Sequence, residues 1–282
     1  MNYKNNSDSI RIKTEGPVPY LYFPALEDSG LVRHGFSTRL GGVSSGCFSS
    51  MNLSFGRGDE EQNVLENYRR ISEALGVDPK KIVLSHQTHT TNVRQVTSED
   101  AGKGIFRPKD YENVDGMITD VPGLVLVTFY ADCVPLYFLD PVHKAIGLSH
   151  SGWRGTVGRM GRCTLEQMNF AYGTKPEDVI ACIGPSICGD CYEVGSEVAE
   201  AFFAAFPDGK GIVAPGREGH FQLNLWKANE RVLLEAGILP SHLHITNVCT
   251  RCNPDVFFSH RIMGNNRGGL AAFLALRENP IH

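Results

Sequence analysis

The chain of 282 residues has no run of 18 apolar residues, so no membrane-spanning helix is readable in it. Residues 1–16 are polar and lack the apolar stretch of a secretory signal, so a cytoplasmic location is expected. Positive charge is not in excess: 27 Lys and Arg against 31 Asp and Glu leave a net −4, which gives nucleic acid no electrostatic footprint. There is no linker rich in proline, glycine or serine, and no internal repeat. The expected organisation is therefore a loose lead at 1–16 and one domain over 17–282, and a monomer is expected. Apolar content of 41% allows a core of ordinary size.

Cysteine, by contrast, is plentiful: Cys47, Cys133, Cys163, Cys182, Cys188, Cys191, Cys249 and Cys252. In a reducing compartment these do not form a disulfide framework, which leaves metal ligation, catalysis or burial. Two C-x-x-C pairs, Cys188/Cys191 and Cys249/Cys252, have the local spacing of structural zinc. With 57 residues between the pairs, however, free thiols are the expectation.

The chain is organised around Gly123 to Gly161. A Val-, Phe- and Tyr-rich run from Leu124 to Tyr130 suits a buried strand, and Ala131-Asp132-Cys133 follows it. A hairpin over the next residues returns His150 to the neighbourhood of Cys133. His89 also follows a strand candidate, Lys81 to Leu84, for which Thr91 to Val96 reads as the partner. Two imidazoles and a thiolate, His89, His150 and Cys133, make a zinc shell with an open fourth position. His86 and Asp132 are candidates to orient a ligand or accept a proton. Glycines 152, 155, 158 and 161 open a helix candidate, Gly155 to Tyr172, where free N–H groups and Arg154 favour an anion. No G-K-[ST] follows, so this is not a Walker loop. Arg39 is a second anion candidate.

Elements alternate irregularly, with several hairpins. The expected fold class is α/β (α+β), one layered domain with mixed sheets and outer helices. Further expected elements are a strand over Met51 to Ser54, a helix from about Glu60 to Leu75, an exposed loop over 99–114 and a strand over Val256 to His260.

Several motifs then carry a resemblance. They are H-G-F-S-T-R-L-G-G-V-S-S-G from His34, N-L from Asn52, Q-T-H from Gln87 and A-D-C-V-P from Ala131. S-H-S-G-W-R-G from Ser149, I-G-P-S-I from Ile183, Y-E-V-G from Tyr192 and F-F-S-H-R from Phe257 complete the set. In this order they resemble the laccase-domain family, also described as purine nucleoside phosphorylases and, in bacteria, as a peptidoglycan editing factor. The resemblance implies metal ligands at His89, Cys133 and His150, and a layered fold similar to bacterial toxin deamidases. It also makes Asn52 a substrate-binding candidate. The family's T-G-R near the C-terminus is replaced here by Arg267-Gly268-Gly269, which moves any arginine function to Arg267.

The implied function is zinc-dependent phosphorolysis of adenosine, inosine, guanosine and methylthioadenosine, with deamination of adenosine. Catalysis would fall to Cys133, His89, His150 and Asp132, and phosphate binding to Arg39 and Arg154. A copper polyphenol oxidase is the first alternative, since two His and one Cys also make a blue-copper core when a weak axial Met is present. With ten histidines and one H-x-H, His242/His244, a cluster of several coppers is hard to build. A cysteine hydrolase acting in peptidoglycan editing, with Cys133 as nucleophile and His150 as base, is the second.

Overall fold

The computed structural model describes residues 1–279. Among them, fifteen strands form three sheets, with seven helices outside. One six-stranded sheet runs Arg11–Lys13, Tyr20–Tyr22, Val32–Ser37, Leu270–Leu276, Val125–Tyr130, Ile82–Leu84. The other runs Leu243–Ile245, Ile180–Ile183, Val134–Asp140, Ala145–Ser151, Gly116–Thr119, Val93–Gln95. Both mix parallel and antiparallel pairs, as expected. A small antiparallel sheet, Glu193–Gly195, His220–Leu223 and Val213–Pro215, lies apart.

The apolar pattern explains the layering. Strands Val134–Asp140, Ala145–Ser151 and Leu270–Leu276 are buried at every position, as strands covered on both faces must be. Leu126, Tyr130, Ala272 and Leu274 of the first sheet meet Met117, Tyr137, Ile146 and Leu148 of the second in one core. The outer face of the first sheet packs on helix Glu61–Leu75 through Val64, Tyr68 and Ile71. The outer face of the second packs on helices Met160–Tyr172, Ser196–Ala205 and Leu225–Glu235 through Leu165, Phe202 and Leu233.

Strands Val125–Tyr130 and Val134–Asp140 are consecutive but belong to different sheets. Ala131-Asp132-Cys133 is the corner where the chain crosses from one sheet to the other. The hairpin that follows pairs Pro135 with His150, so the imidazole returns beside the corner.

Several local expectations are corrected. Residues 93–95 pair with Gly116–Thr119 in the second sheet, while Ile82–Leu84 pairs with Val125–Tyr130 in the first. The helix expected from Gly155 to Tyr172 is two, Trp153–Val157 and Met160–Tyr172, broken where Arg159 takes φ +63. Residues 51–54 and 256–259 are loops, tied by side-chain hydrogen bonds in place of a ladder. Residues 1–16 carry a strand at Arg11–Lys13, and Tyr3 bridges to Val248. The 99–114 segment also folds inward: Asp100, Lys103 and Tyr111 are buried, and the Tyr111 hydroxyl donates to the Leu84 carbonyl at 2.6 Å.

Candidate active site

His89, Cys133 and His150 come together. Their three donor atoms lie within 4.8 Å of one another, and the two imidazoles meet edge to face with centroids 5.0 Å apart. His150 is held inside its strand rather than beyond it, and is buried; Cys133 is half-buried and His89 exposed. Ligands on zinc at ~2.0–2.3 Å sit roughly 3.3–3.8 Å apart, so these three donors fit one such ion after a modest closing of the rotamers. The neighbouring Gly152 leaves the trio room. A Cβ on it would stand 3.1 Å from the His89 ring and 3.2 Å from the Cys133 sulfur.

The group that holds the trio is Asp115, which sequence reasoning missed. One carboxylate oxygen accepts from His150 Nδ1 at 2.9 Å and from the His89 N–H at 3.0 Å. The other accepts from the N–H groups of Thr88 and Thr90 and from the Thr90 hydroxyl. One buried carboxylate thus orients one imidazole and fixes the loop that carries the other. Its contact with Nδ1 leaves Nε2 of His150 as the donor atom toward Cys133. Burial alone would push the Asp115 carboxyl up, but these donors hold it at about 2. Without a metal, burial also opposes charge on Cys133 and His150. Their mutual attraction outweighs it, bringing the thiol down to about 6 and the imidazole up to about 9. Asp115 gave only a weak signal, Asp-Gly before a strand, which reads equally as a turn.

Asp132 has a different task from the one expected. Its carboxylate accepts from the Thr250 and Ser259 hydroxyls at 2.6 and 3.0 Å and from the Arg261 N–H at 2.7 Å. These donors tie the sheet-crossing corner to the 250–261 loop, and neither imidazole is among them. Asp132 and His89 both take positive φ, +89 and +65, conformations that cost energy for a residue with a side chain.

The trio lines a cavity of about 440 Å³ together with His86, Gln87, Tyr130, Arg57, Lys109 and Arg267. Gln87 is spent on the strand edge, exchanging hydrogen bonds with the backbone of Phe129. Arg267 is buried, and its Nε has no protein partner. Arg39 and Arg154, the expected anion binders, do not line this cavity. Arg39 donates to the Ser49 and Pro254 carbonyls, and the exposed Arg154 stacks on Trp153 at 4.2 Å. Asn52 is fully buried and serves as a strut, accepting from the Ser54 and Gly269 N–H groups and donating to Asp59.

Comparison with known proteins agrees with this architecture. The sequence model of the family described as "Multi-copper polyphenol oxidoreductase laccase" matches residues 33–277. The chain belongs to this family. It is 34% identical over 249 residues to purine nucleoside phosphorylase YlmD of Bacillus subtilis, covering 86% of this chain and 88% of that one. It is 36% identical over 242 residues to adenosine deaminase RL5 of an unknown prokaryote, covering 83% and 90%. The crystal structure of YlmD from Geobacillus stearothermophilus matches with TM-score 0.87 at 32% identity, over 95% of this chain and 99% of that one. Relatives over nearly their whole length are thus enzymes by name, and the layered α/β fold is common to them.

Proposed function

We propose that this chain is a zinc-dependent purine nucleoside phosphorylase that also deaminates adenosine, with His89, Cys133 and His150 as metal ligands. It would act as one catalytic domain over residues 17–282, as a cytoplasmic monomer. One observation carries the reading: a single cavity is walled both by the three-donor cluster and by three cations, Arg57, Lys109 and Arg267. Its size suits a small molecule, and its two kinds of wall suit a purine nucleoside and a phosphate. Relatives named for both activities support the pairing.

A bound metal would supply a Lewis acid and lower the pKa of water toward ~7. The protein does the rest. Asp115 keeps His150 and the His89 loop in place before any substrate arrives. Arg267, with Lys109 and Arg57, would hold phosphate beside ribose C1′. In phosphorolysis the C1′–N9 bond breaks, a C1′–O bond forms, and the bonding pair leaves with the purine, which takes up a proton. His86 lines the same cavity with Nδ1 unpartnered, and we assign it that proton delivery. In deamination, water adds at C6 and ammonia leaves.

Incubation with adenosine and phosphate, read by mass, tests this. Adenine with ribose-1-phosphate is expected from phosphorolysis, and inosine from deamination. Zinc-loaded protein that yields none of them overturns the reading. For a copper oxidase, neither of the two donor groups found among the described residues offers several coppers enough histidines, and no methionine lines the cavity. Stoichiometric copper with oxygen uptake on a phenol would reverse that judgement. One observation favours a cysteine hydrolase: without metal, Cys133, His150 and Asp115 form a thiol–imidazole–carboxylate chain. An acyl group trapped on Cys133 would establish it.

A further inference from the structure

We propose that Cys188, Cys191, Cys249 and Cys252 bind one zinc ion in a closed, structural tetrathiolate site. The sequence spacing leads one to expect buried or loosely paired free thiols; the fold brings all four to one place. All four are free cysteines, and their sulfurs lie within 4.8 Å of one another, with Cys191 and Cys252 at 3.4 Å. Four sulfurs at ~2.3 Å from one zinc stand roughly 3.8 Å apart, so the cluster brackets the required spacing.

The fold explains why residues so far apart in sequence converge. Strands Ile180–Ile183 and Leu243–Ile245 are parallel neighbours, with Ile183 opposite Ile245. The chain leaves both at the same end, and Ser186 bridges to Cys249 just beyond. Each C-x-x-C then turns tightly: Cys191 donates its N–H to the Cys188 carbonyl at 3.0 Å, and Asn253 Nδ2 caps the Cys249 carbonyl at 2.8 Å. The surroundings suit anionic sulfur. The Cys188 N–H points at the Cys249 sulfur at 3.3 Å, and Arg251 Nη1 at the Cys191 sulfur at 3.3 Å. Ile187, Tyr192 and Trp226 cover the cluster. Binding would displace thiol protons as four Zn–S bonds form, with no change of oxidation state.

None of these cysteines lines the active cavity, yet the site reaches it through Asp132. Ile187 donates its N–H to the Asp132 carbonyl at 3.0 Å, and Thr250 holds the Asp132 carboxylate. Each is the chain neighbour of a proposed ligand, Ile187 of Cys188 and Thr250 of Cys249. The ion would lock together the two loops that brace the corner bearing Cys133.

The test uses full-length protein carrying Cys133→Ala and His150→Ala, which clears the active site of metal. Purified in reductant with zinc, it should hold about one zinc per chain, and X-ray absorption should show four sulfur neighbours at about 2.3 Å. Adding Cys191→Ser and Cys252→Ser should abolish that zinc and lower the thermal midpoint. If that variant fails to fold, the metal content and absorption spectrum of the parent still decide. Folded parent protein without zinc overturns the proposal. So does a shell of fewer than four sulfurs, or a mass lower by four hydrogens that marks two disulfides. Because the active site is emptied first, the result is independent of the nucleoside reading.

Discussion

Two sulfur-bearing clusters lie in this chain, one at each flank of Asp132, and they differ in the ways that separate reactive from structural metal sites. At the cavity, three donors of two kinds come from three separate segments, and one of them, His89, is exposed. At the loop knot, four identical donors come from two tight turns under an apolar cover. A site with three protein donors keeps a place for substrate or water, whereas a site with four has none. The supports differ too. The open site hangs on one buried carboxylate that binds both imidazole segments, while the closed one rests on backbone turns.

The sharpest way to break this contrast is Cys133→Ala. It should lower both phosphorolysis and deamination by about 1,000-fold or more, since the metal's charge stabilisation is worth several kcal/mol. Metal content should fall by one equivalent, read by elemental analysis, and with chelator present in both proteins the thermal midpoint should barely move, read by calorimetry. A large thermal loss with retained turnover would exchange the roles of the two sites. Asp115→Asn comes next. Loss of the anionic acceptor should weaken zinc binding or turnover by about 10–100-fold, and excess zinc should restore part of it. Turnover that is unchanged across a zinc titration would deny Asp115 its orienting role.

Arg267→Ala separates the two reactions of the open site. Removing one charge-assisted partner should raise the phosphate KM about 10–100-fold. Deamination, which needs no phosphate, should stay within about threefold, read in the same assay without phosphate. An equal loss in both reactions would mean that Arg267 holds the nucleoside. At the closed site, stripping zinc should act on stability. With free zinc about a thousandfold above Kd, the ion adds about 4 kcal/mol, or roughly 8–16 °C in thermal midpoint. Calorimetry with and without chelator, in the protein lacking Cys133 and His150, measures it.

The convergence of the three donors was legible in the sequence because each residue sits near a strand end in a glycine- or turn-rich setting: His89 after Ile82–Leu84, Cys133 before Val134–Asp140, His150 near the close of Ala145–Ser151. The mixed layered architecture was legible for a similar reason, since hairpin spacings and apolar runs are local. What was not legible is long-range. Nothing local says that Ile180–Ile183 lies beside Leu243–Ile245, and that pairing alone joins the two C-x-x-C turns. Asp115 was hidden because a carboxylate before a strand looks like any turn residue until its five donors are seen. Arg39 and Arg154 lie outside the cavity lining because guanidinium groups beside glycines serve carbonyls and rings as readily as phosphate.

Arg154 yields the smallest expected effect. Arg154 occupies the first turn of the short helix Trp153–Val157, is exposed, and lies over the Trp153 ring at 4.2 Å. Exposed stacking of this kind is worth ~0.5–1 kcal/mol to the fold and nothing to a ligand elsewhere. Arg154→Ala should therefore leave the phosphate KM within about twofold, while Arg267→Ala moves it by the larger factor. Both arginines are equally positive, so a response set by net charge alone would be the same in the two variants. Only direct placement at the anion separates them. Equal shifts at both positions, measured side by side at one ionic strength, would move the phosphate out of the cavity and undo the pairing of metal and cations on which the proposed activity rests.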